Sequence, residues 1–491
     1  MPSGAFLFMA TYHGDDVARA VPNLTSGSIP RALLRLAVPI VFANLLQTAY
    51  QLIDTFWVGR LGAAAVAAVS LSFPVIFFLI SLGLGFAVAG TILVAQYQGA
   101  GNTKAVNAVS AQALVGVVLI SLFLAVAGFV GAPYIVAFLG AADDVLPLAS
   151  VYLQVSFVGL PFLFAYVIFQ SLMRGVGDAR TPLIIVTGTV VLNFFLDPLF
   201  ILGWGPMPAL GVSGAALATV ITQGLAAIVG LGMLFSGRYG ISLRPANLWP
   251  DMAILWRLLK LGLPAAIEQS TRALGLMLMT ILVAGFGTVT LAAYGIGVRM
   301  LSFVIIPALG LSQATSALVG QNIGAGEIGR AEHTAWLSAA IALVSLSLFG
   351  LLGFVFARDI VTLFVPGAPE VIDKGTLFVQ ITAFTYGLIG AQQVITGAFR
   401  GSGNTLIAMA IALVSLWMLQ FPLAWVLSNN TSLGEVGIWI AYPVQNIITA
   451  AIAAIWFARG TWKRQRVMDE PEPERAVSTY RPGAITTTTL R

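Results

Sequence analysis

From about residue 31 to residue 460 the chain alternates long apolar blocks with short polar ones, and most charges fall in the short ones. An uninterrupted apolar run of about 18 residues or more is long enough to cross the hydrocarbon of a bilayer as a helix. The pattern predicts twelve such helices, at roughly 33–57, 64–95, 106–130, 148–170, 181–203, 211–236, 253–284, 289–319, 333–356, 373–397, 404–427 and 436–458. Several exceed the ~20 residues that suffice to cross, so tilt or extension past the bilayer surface is expected.

Loop charge orients these spans. With the amino end inside, sixteen Lys and Arg residues, Arg400 among them, fall to the inner loops and adjoining helix ends, and only Arg60, Arg358 and Lys374 to the outer ones. That asymmetry obeys the positive-inside rule, and a miscounted span in the middle would scramble it. The expectation is an all-α, multi-pass protein of the cell membrane with both termini cytoplasmic.

Composition narrows the function classes. Of 491 residues, 58% are hydrophobic and 9% charged, where a soluble protein is about a quarter charged, so soluble readings are excluded. There is no cysteine, hence no disulfide, thiolate nucleophile or thiolate-held metal. His13 lies outside the apolar blocks and His333 at the very edge of one. The net charge of +5 comes without an aromatic-interleaved basic patch, so charge placement at a bilayer explains it and nucleic-acid binding does not. Residues 1–30 are expected to form a polar cytoplasmic leader, since MPSGAFLFMA is too short to span and has no basic n-region. Residues 461–491, rich in Pro, acids and Thr without apolar periodicity, are expected to be a disordered cytoplasmic tail.

The apolar region repeats itself. At an offset of 225 residues Pro39 aligns with Pro264, Gly62 with Gly287, Gly85 with Gly310, and QYQGAGN (96–102) with QNIGAGE (321–327). MRGVGDARTP (173–182) aligns with FRGSGNT (399–405) at 226, and Gly211-x-x-Gly214 with Gly434-x-x-Gly437 at 223. Two six-helix lobes, 31–238 and 251–460, follow. Because six is even they are parallel repeats about an axis along the membrane normal, with a cavity between them that rocking would expose to alternate sides. No filter sequence or charged ring suggests a channel, and transport is the function expected.

Some polar residues inside the spans need a reason, because a central acid costs about 2.5–3.5 kcal/mol on insertion scales. In the first span Asn44, Gln47, Gln51 and Asp54 recur at three- and four-residue intervals on one face, with Tyr50 beside it; in the fifth, Thr189, Asn193 and Asp197 do the same, followed by Pro198. At 1.5 Å per residue the two acids lie about 28 and 26 Å from Arg35 and Arg180, at similar depth. Two carboxylates facing one dry chamber can exchange a proton, and the same oxygens with Asn193 could hold Na⁺, so H⁺ or Na⁺ is the expected coupling ion. The other lobe has Met279 opposite Asp54 and no acid opposite Asp197. Its Glu268 and Arg272, four apart, read as an intrahelical ion pair or as residues of substrate passage or gating. Arg299 lies deeper, with Glu268 or a carbonyl as partner. Gln392, Gln393, Phe73, Phe162 and Met279 are candidates for a broad cavity.

IDTFWVGRLG (53–62), QYQGAGN, SLMRGVGDARTP (171–182), NFFLDPLF (193–200), LGVSGAALAT (210–219) and QNIGAGE together resemble the multidrug and toxic compound extrusion (MATE) family, from about Ile29 to Arg459, and most of all its DinF-type branch. The resemblance implies a V-shaped pair of six-helix bundles that exports organic cations and amphipathic drugs in exchange for H⁺ or Na⁺. It implies a monomer needing no cofactor and no enzymatic activity. On that resemblance Asp54 is the coupling acid of the first helix, Asn193 and Asp197 its partners in the fifth, and Tyr152 a hydrogen-bonding tyrosine of the same network. Protonation of the first-helix acid is proposed, in that branch, to bend its helix and shrink the amino-lobe cavity. The NorM-type branch carries further acids in its seventh and tenth helices. Here Arg272 stands where the former is expected, Glu268 lies one turn earlier, and the tenth span has no acid in its core, which points to amino-lobe coupling. Flippases of lipid-linked sugars share the broader fold and are the alternative; a more cationic cavity would mark them.

Overall fold

The protein is described by a computed structural model at residues 24–203, 208–464 and 467–468. Most of the expected leader and tail, with His13, therefore lies outside the described residues. The parts that fall inside are packed. Leu24 is buried, the carbonyls of Ser26 and Gly27 accept from Arg330 at 3.1 and 2.9 Å, and Trp462 stacks on Phe457 with ring centroids 4.8 Å apart. Single buried anchors of this kind leave no periodic trace in the sequence.

The first six spans are α1 (Ile29–Gly59), α2 (Ala63–Gly99), α3 (Thr103–Phe138), α4 (Leu146–Val176), α5 (Arg180–Leu202) and α6 (Val212–Ser236). The next three are α7 (Met252–Ala284), α8 (Thr288–Gly324) and α9 (Ile328–Val355). A short helix α10 (Ala357–Phe364), which hydrophobic runs did not reveal, precedes the tenth span. That span is two helices, α11 (Pro369–Ala383) and α12 (Tyr386–Gly401), broken at Phe384 and Thr385, where Asn446 donates to the Thr385 hydroxyl at 3.0 Å. The eleventh comprises α13 (Thr405–Leu413), a π-helical turn Val414–Gln420 and α14 (Phe421–Asn429), and α15 (Glu435–Ala458) is the twelfth. Among the described residues eleven helices are long and apolar enough to cross a membrane unaided, Thr405–Asn429 counted as one, and the broken tenth completes two bundles of six.

The turns between spans are duplicated along with the spans. Gly62 and Gly287 start α2 and α8 at φ of 103° and 95°, and Gly211 and Gly434 start α6 and α15 at 60° and 55°, a region that residues with a Cβ rarely enter. The second glycines of those last two motifs serve packing: a Cβ on Gly214 would lie 2.3 Å from the Phe200 carbonyl oxygen, and one on Gly437 2.6 Å from that of Leu427.

The two bundles meet through α1 and α2 on one side and α7 and α8 on the other. A Cβ on Gly99 would lie 1.9 Å from the carbonyl oxygen of Gln321, and one on Gly324 would lie 1.8 Å from that of Gln96. Gln96 Nε2 donates to the Gly401 carbonyl at 3.0 Å, while Gln321 Nε2 donates to that of Gly175 at 2.8 Å. The contact is reciprocal, as a two-fold relation between repeats requires. The matched QYQGAGN and QNIGAGE segments are thus a backbone-to-backbone crossing, of the kind that small residues permit between membrane helices. Their side-chain amides satisfy helix-end carbonyls that would otherwise stay unpaired.

Candidate functional site

In the first bundle, α5 lies against α1 and α6. Its Asn193 and Asp197, one turn apart, are both fully buried, and Asn193 Nδ2 donates to Asp197 Oδ1 at 2.7 Å. The remaining oxygens, Asn193 Oδ1 and Asp197 Oδ2, are buried without a hydrogen-bond partner among the described residues, and so is Asp54 Oδ1 on α1. Asp54 stands on α1, the helix packed against the α5 that carries Asn193 and Asp197. Unpaired buried oxygens are costly. Two of them lie together on α5 and the third on the α1 packed against it, and each is an atom that a proton or a small hard cation would satisfy. Among the described residues no group of three or more His, Cys, Asp or Glu side chains occurs, so a cation here would rest on two carboxylates and an amide oxygen.

The polar stripe of α1 is not buried as a unit. Asp54 Oδ1 is buried, and the buried Tyr50 shares a 2.8 Å hydrogen bond with Thr222 of α6; Asn44 is half-buried, and Gln47 and Gln51 are exposed. At about 100° per residue these positions cover roughly 80° of the helix, wide enough for the edge of the packed face to run between Asp54 and the two glutamines. Tyr152 of α4 borders a cavity of about 100 Å³ with Ser156, Thr219 and Gln223, and makes no hydrogen bond to either acid among the described residues.

The second bundle carries a different cluster. Glu268 of α7 is 1% exposed and accepts from Arg272 Nη2 at 2.9 Å, so the expected intrahelical pair is present. Its other partner is Arg400 of α12, with Nη1 at 3.8 Å. By sequence Arg400 reads as one of the cytoplasmic loop charges, yet it is 6% exposed and also donates to Ser312 at 2.9 Å. Its position beside a Gly-Ser-Gly turn at the end of a span reads equally well as loop or core. The signal that could have found it is its match, in the repeat, to Arg174, which is half-buried in the last turn of α4. Arg299 is not a partner of Glu268; it borders a small cavity with Ala292, Gly295 and Phe364.

Arg272 and Gln392 border a cavity of about 330 Å³ in this bundle, closed on one side by Phe77 of α2. Met279 does not border it: the side chain is 2% exposed in the hydrophobic core with Tyr294 and Phe378. Phe73 and Phe162 are exposed and also stand outside this cavity. Residues that hydrophobic patterning passed over supply much of its polar wall, namely Gln269, Gln420, Gln445 and Asn446. Amides inside the seventh and the last two spans were the available signal.

The chain matches the MatE family twice, over residues 39–199 and 264–426, in keeping with the internal repeat. It is 32% identical to the probable multidrug resistance protein YoeA of Bacillus subtilis (strain 168) over 448 residues, covering 90% of this chain and 96% of that one. It is 28% identical to an FAD transporter of Shewanella oneidensis over 444 residues, covering 89% and 96%. A crystal structure of MATE in complex with MaL6 superposes with a TM-score of 0.84 at 23% identity, over 90% of this chain and 99% of that one.

Proposed function

The chain belongs to the MatE family of multidrug efflux transporters, a multi-pass membrane protein and no enzyme, and on that premise we propose that it is an H⁺- or Na⁺-coupled antiporter of the DinF type. It exports organic cations and amphipathic drugs across the cell membrane by alternating access, with both termini in the cytoplasm. Coupling resides in the first bundle. The observation that carries this reading is the trio of buried, unpaired oxygens on Asp54, Asn193 and Asp197.

With no ion bound, Asp54 and Asp197 oppose each other's charge, which favours the arrangement that keeps α1 and α5 apart. A proton or Na⁺ at either acid removes that repulsion and satisfies an unpaired oxygen, so α1 can settle against α5. Tyr50 carries the change to α6 through Thr222. Tyr152 borders the small cavity between α2, α4 and α6. Gln47 and Gln51, on the exposed side of α1, then move with it and meet substrate in the cleft between bundles. A shift of this kind needs the ion to bind one arrangement more tightly than the other, by about 5.5 kcal/mol to take the equilibrium from 1:99 to 99:1.

Drug uptake into inside-out vesicles under separately imposed pH and Na⁺ gradients tests the proposal. Asp54→Asn keeps size and polarity and removes the titratable charge; it should insert normally and lose gradient-driven uptake. Wild-type uptake by Asp54→Asn in proteoliposomes would sink amino-lobe coupling. Indifference of the wild type to both gradients would instead mark a facilitator or a flippase.

A further inference from the structure

The interior of the second bundle has an excess of positive charge. Glu268 is flanked by two guanidiniums, Arg272 and Arg400, so one carboxylate faces two cations. The other acids of that bundle stand at helix starts and loops, and those with ion pairs meet other bases: Glu332 pairs with Lys463, Asp373 with Arg358 and Glu435 with Lys374. No Asp or Glu borders the 330 Å³ cavity, while Arg272 does. Its side chain is 31% exposed, and both of its hydrogen bonds, to Glu268 and to Gln393 at 2.9 Å, are made by Nη2. The other terminal nitrogen, Nη1, makes no hydrogen bond among the described residues. Two guanidiniums sharing one carboxylate leave the cluster with a net positive charge, which is costly within a membrane protein, and an anion beside Arg272 removes the cost.

The rest of the wall says what kind of anion. Five glutamines and an asparagine, Gln269, Gln392, Gln393, Gln420, Gln445 and Asn446, present carboxamides, each able to donate and accept. The π-helical turn Val414–Gln420 brings Ser415 and Gln420 into this wall, as π-turns often do at functional sites. Gln445 is held by Ser415 and by Thr449. Phe77 and Tyr442 add aromatic surface among aliphatic residues. The volume falls within the ~300–1,000 Å³ of small-molecule sites.

We infer that this cavity is a substrate site for amphipathic anions, molecules with an apolar or heteroaromatic body and a carboxylate or other anionic group that pairs with Arg272. It rests on the transport reading above and deepens it: the carboxamide wall tolerates many bodies, and Arg272 selects the charge. Cationic substrates are served by the acidic first bundle instead.

Equilibrium binding to the full chain in phosphatidylcholine nanodiscs tests this by fluorescence anisotropy, with fluorescein as the anionic probe and rhodamine 6G as a cationic one of similar shape. Fluorescein binding should weaken at least about tenfold in Arg272→Gln, with rhodamine 6G unchanged or tighter, and Arg272→Lys should retain most of the fluorescein affinity. Because Arg272→Gln also removes a partner of Glu268, Gln393→Glu is the second variant: it sets a carboxylate against Arg272, leaves the Glu268 pair in place, and should lose fluorescein to the same extent. Equal fluorescein affinity in the wild type and Gln393→Glu, or Arg272→Lys as weak as Arg272→Gln, would overturn the assignment. Asp54→Asn separates the two readings, since it should keep fluorescein binding while losing gradient-driven transport. Loss of fluorescein binding in Asp54→Asn with retention in Gln393→Glu would place the anion elsewhere.

Discussion

The crossing of the two Gly-Ala-Gly segments offers a steric test of how the bundles are joined. Adding one methyl at Gly99 or at Gly324 puts a carbon 1.9 or 1.8 Å from a backbone carbonyl oxygen. A relaxed carbon–oxygen contact is about 3.3–3.6 Å, so the helices must separate by roughly 1.4 Å or more at that point. The obstacle is backbone, and no rotamer change relieves it. Overpacking of this kind costs about 1–3 kcal/mol, occasionally more. Gly99→Ala and Gly324→Ala should each lower the thermal unfolding temperature of the detergent-solubilised protein, and together they should fall short of additive, because both wedge the same crossing. Gly232→Ala on α6 is the control: nothing lies within 4 Å of its Cβ, and alanine should gain about 0.5–1 kcal/mol in a helix interior. If Gly99→Ala and Gly324→Ala melt with Gly232→Ala and transport at the wild-type rate, the close crossing and the reciprocal packing drawn from it are refuted.

Glu268→Gln leaves Arg272 and Arg400 without their carboxylate, and removing one partner of a buried pair costs about 3–5 kcal/mol. It should therefore lower yield and melting temperature, yet per folded molecule it should reduce gradient-driven flux less than Asp54→Asn does; equal loss in proteoliposomes of matched protein content would contradict amino-lobe coupling. Tyr50→Phe removes the link from α1 to α6, but the Thr222 hydroxyl keeps its bond to the Thr219 carbonyl. The stability loss should stay near the lower end of about 0.5–1.5 kcal/mol, and transport should slow with a larger effect than the melting shift implies; unchanged turnover would remove Tyr50 from the coupling path. Asn193→Leu takes away the donor to Asp197 and one unpaired oxygen, and should abolish any Na⁺-dependent thermal stabilisation, a loss read by melting with and without NaCl.

Much of this protein is legible along the chain because a bilayer imposes its rule locally: every span must be apolar for about 20 residues, whatever it packs against. Hydrophobic runs therefore locate the helices, duplicated glycines show the repeat, and isolated acids in apolar spans make Asp54 and Asp197 stand out. What patterning cannot express is which polar atoms meet. Arg400 reads as a loop cation and becomes the second partner of Glu268 only because α12 ends against α7 and α8. Met279 reads as a cavity candidate and lies instead in the core. The tenth span reads as one helix, and at its break Thr385 accepts from Asn446, sixty-one residues away. Sequence alone determined the spans, the duplication and the asymmetry of acids between halves, since each is a property of neighbouring residues facing lipid or water. Tertiary structure decided the reciprocal glycine crossing, the unpaired oxygens beside Asp197 and the excess charge at Arg272, since each depends on the distance between atoms that the chain holds far apart.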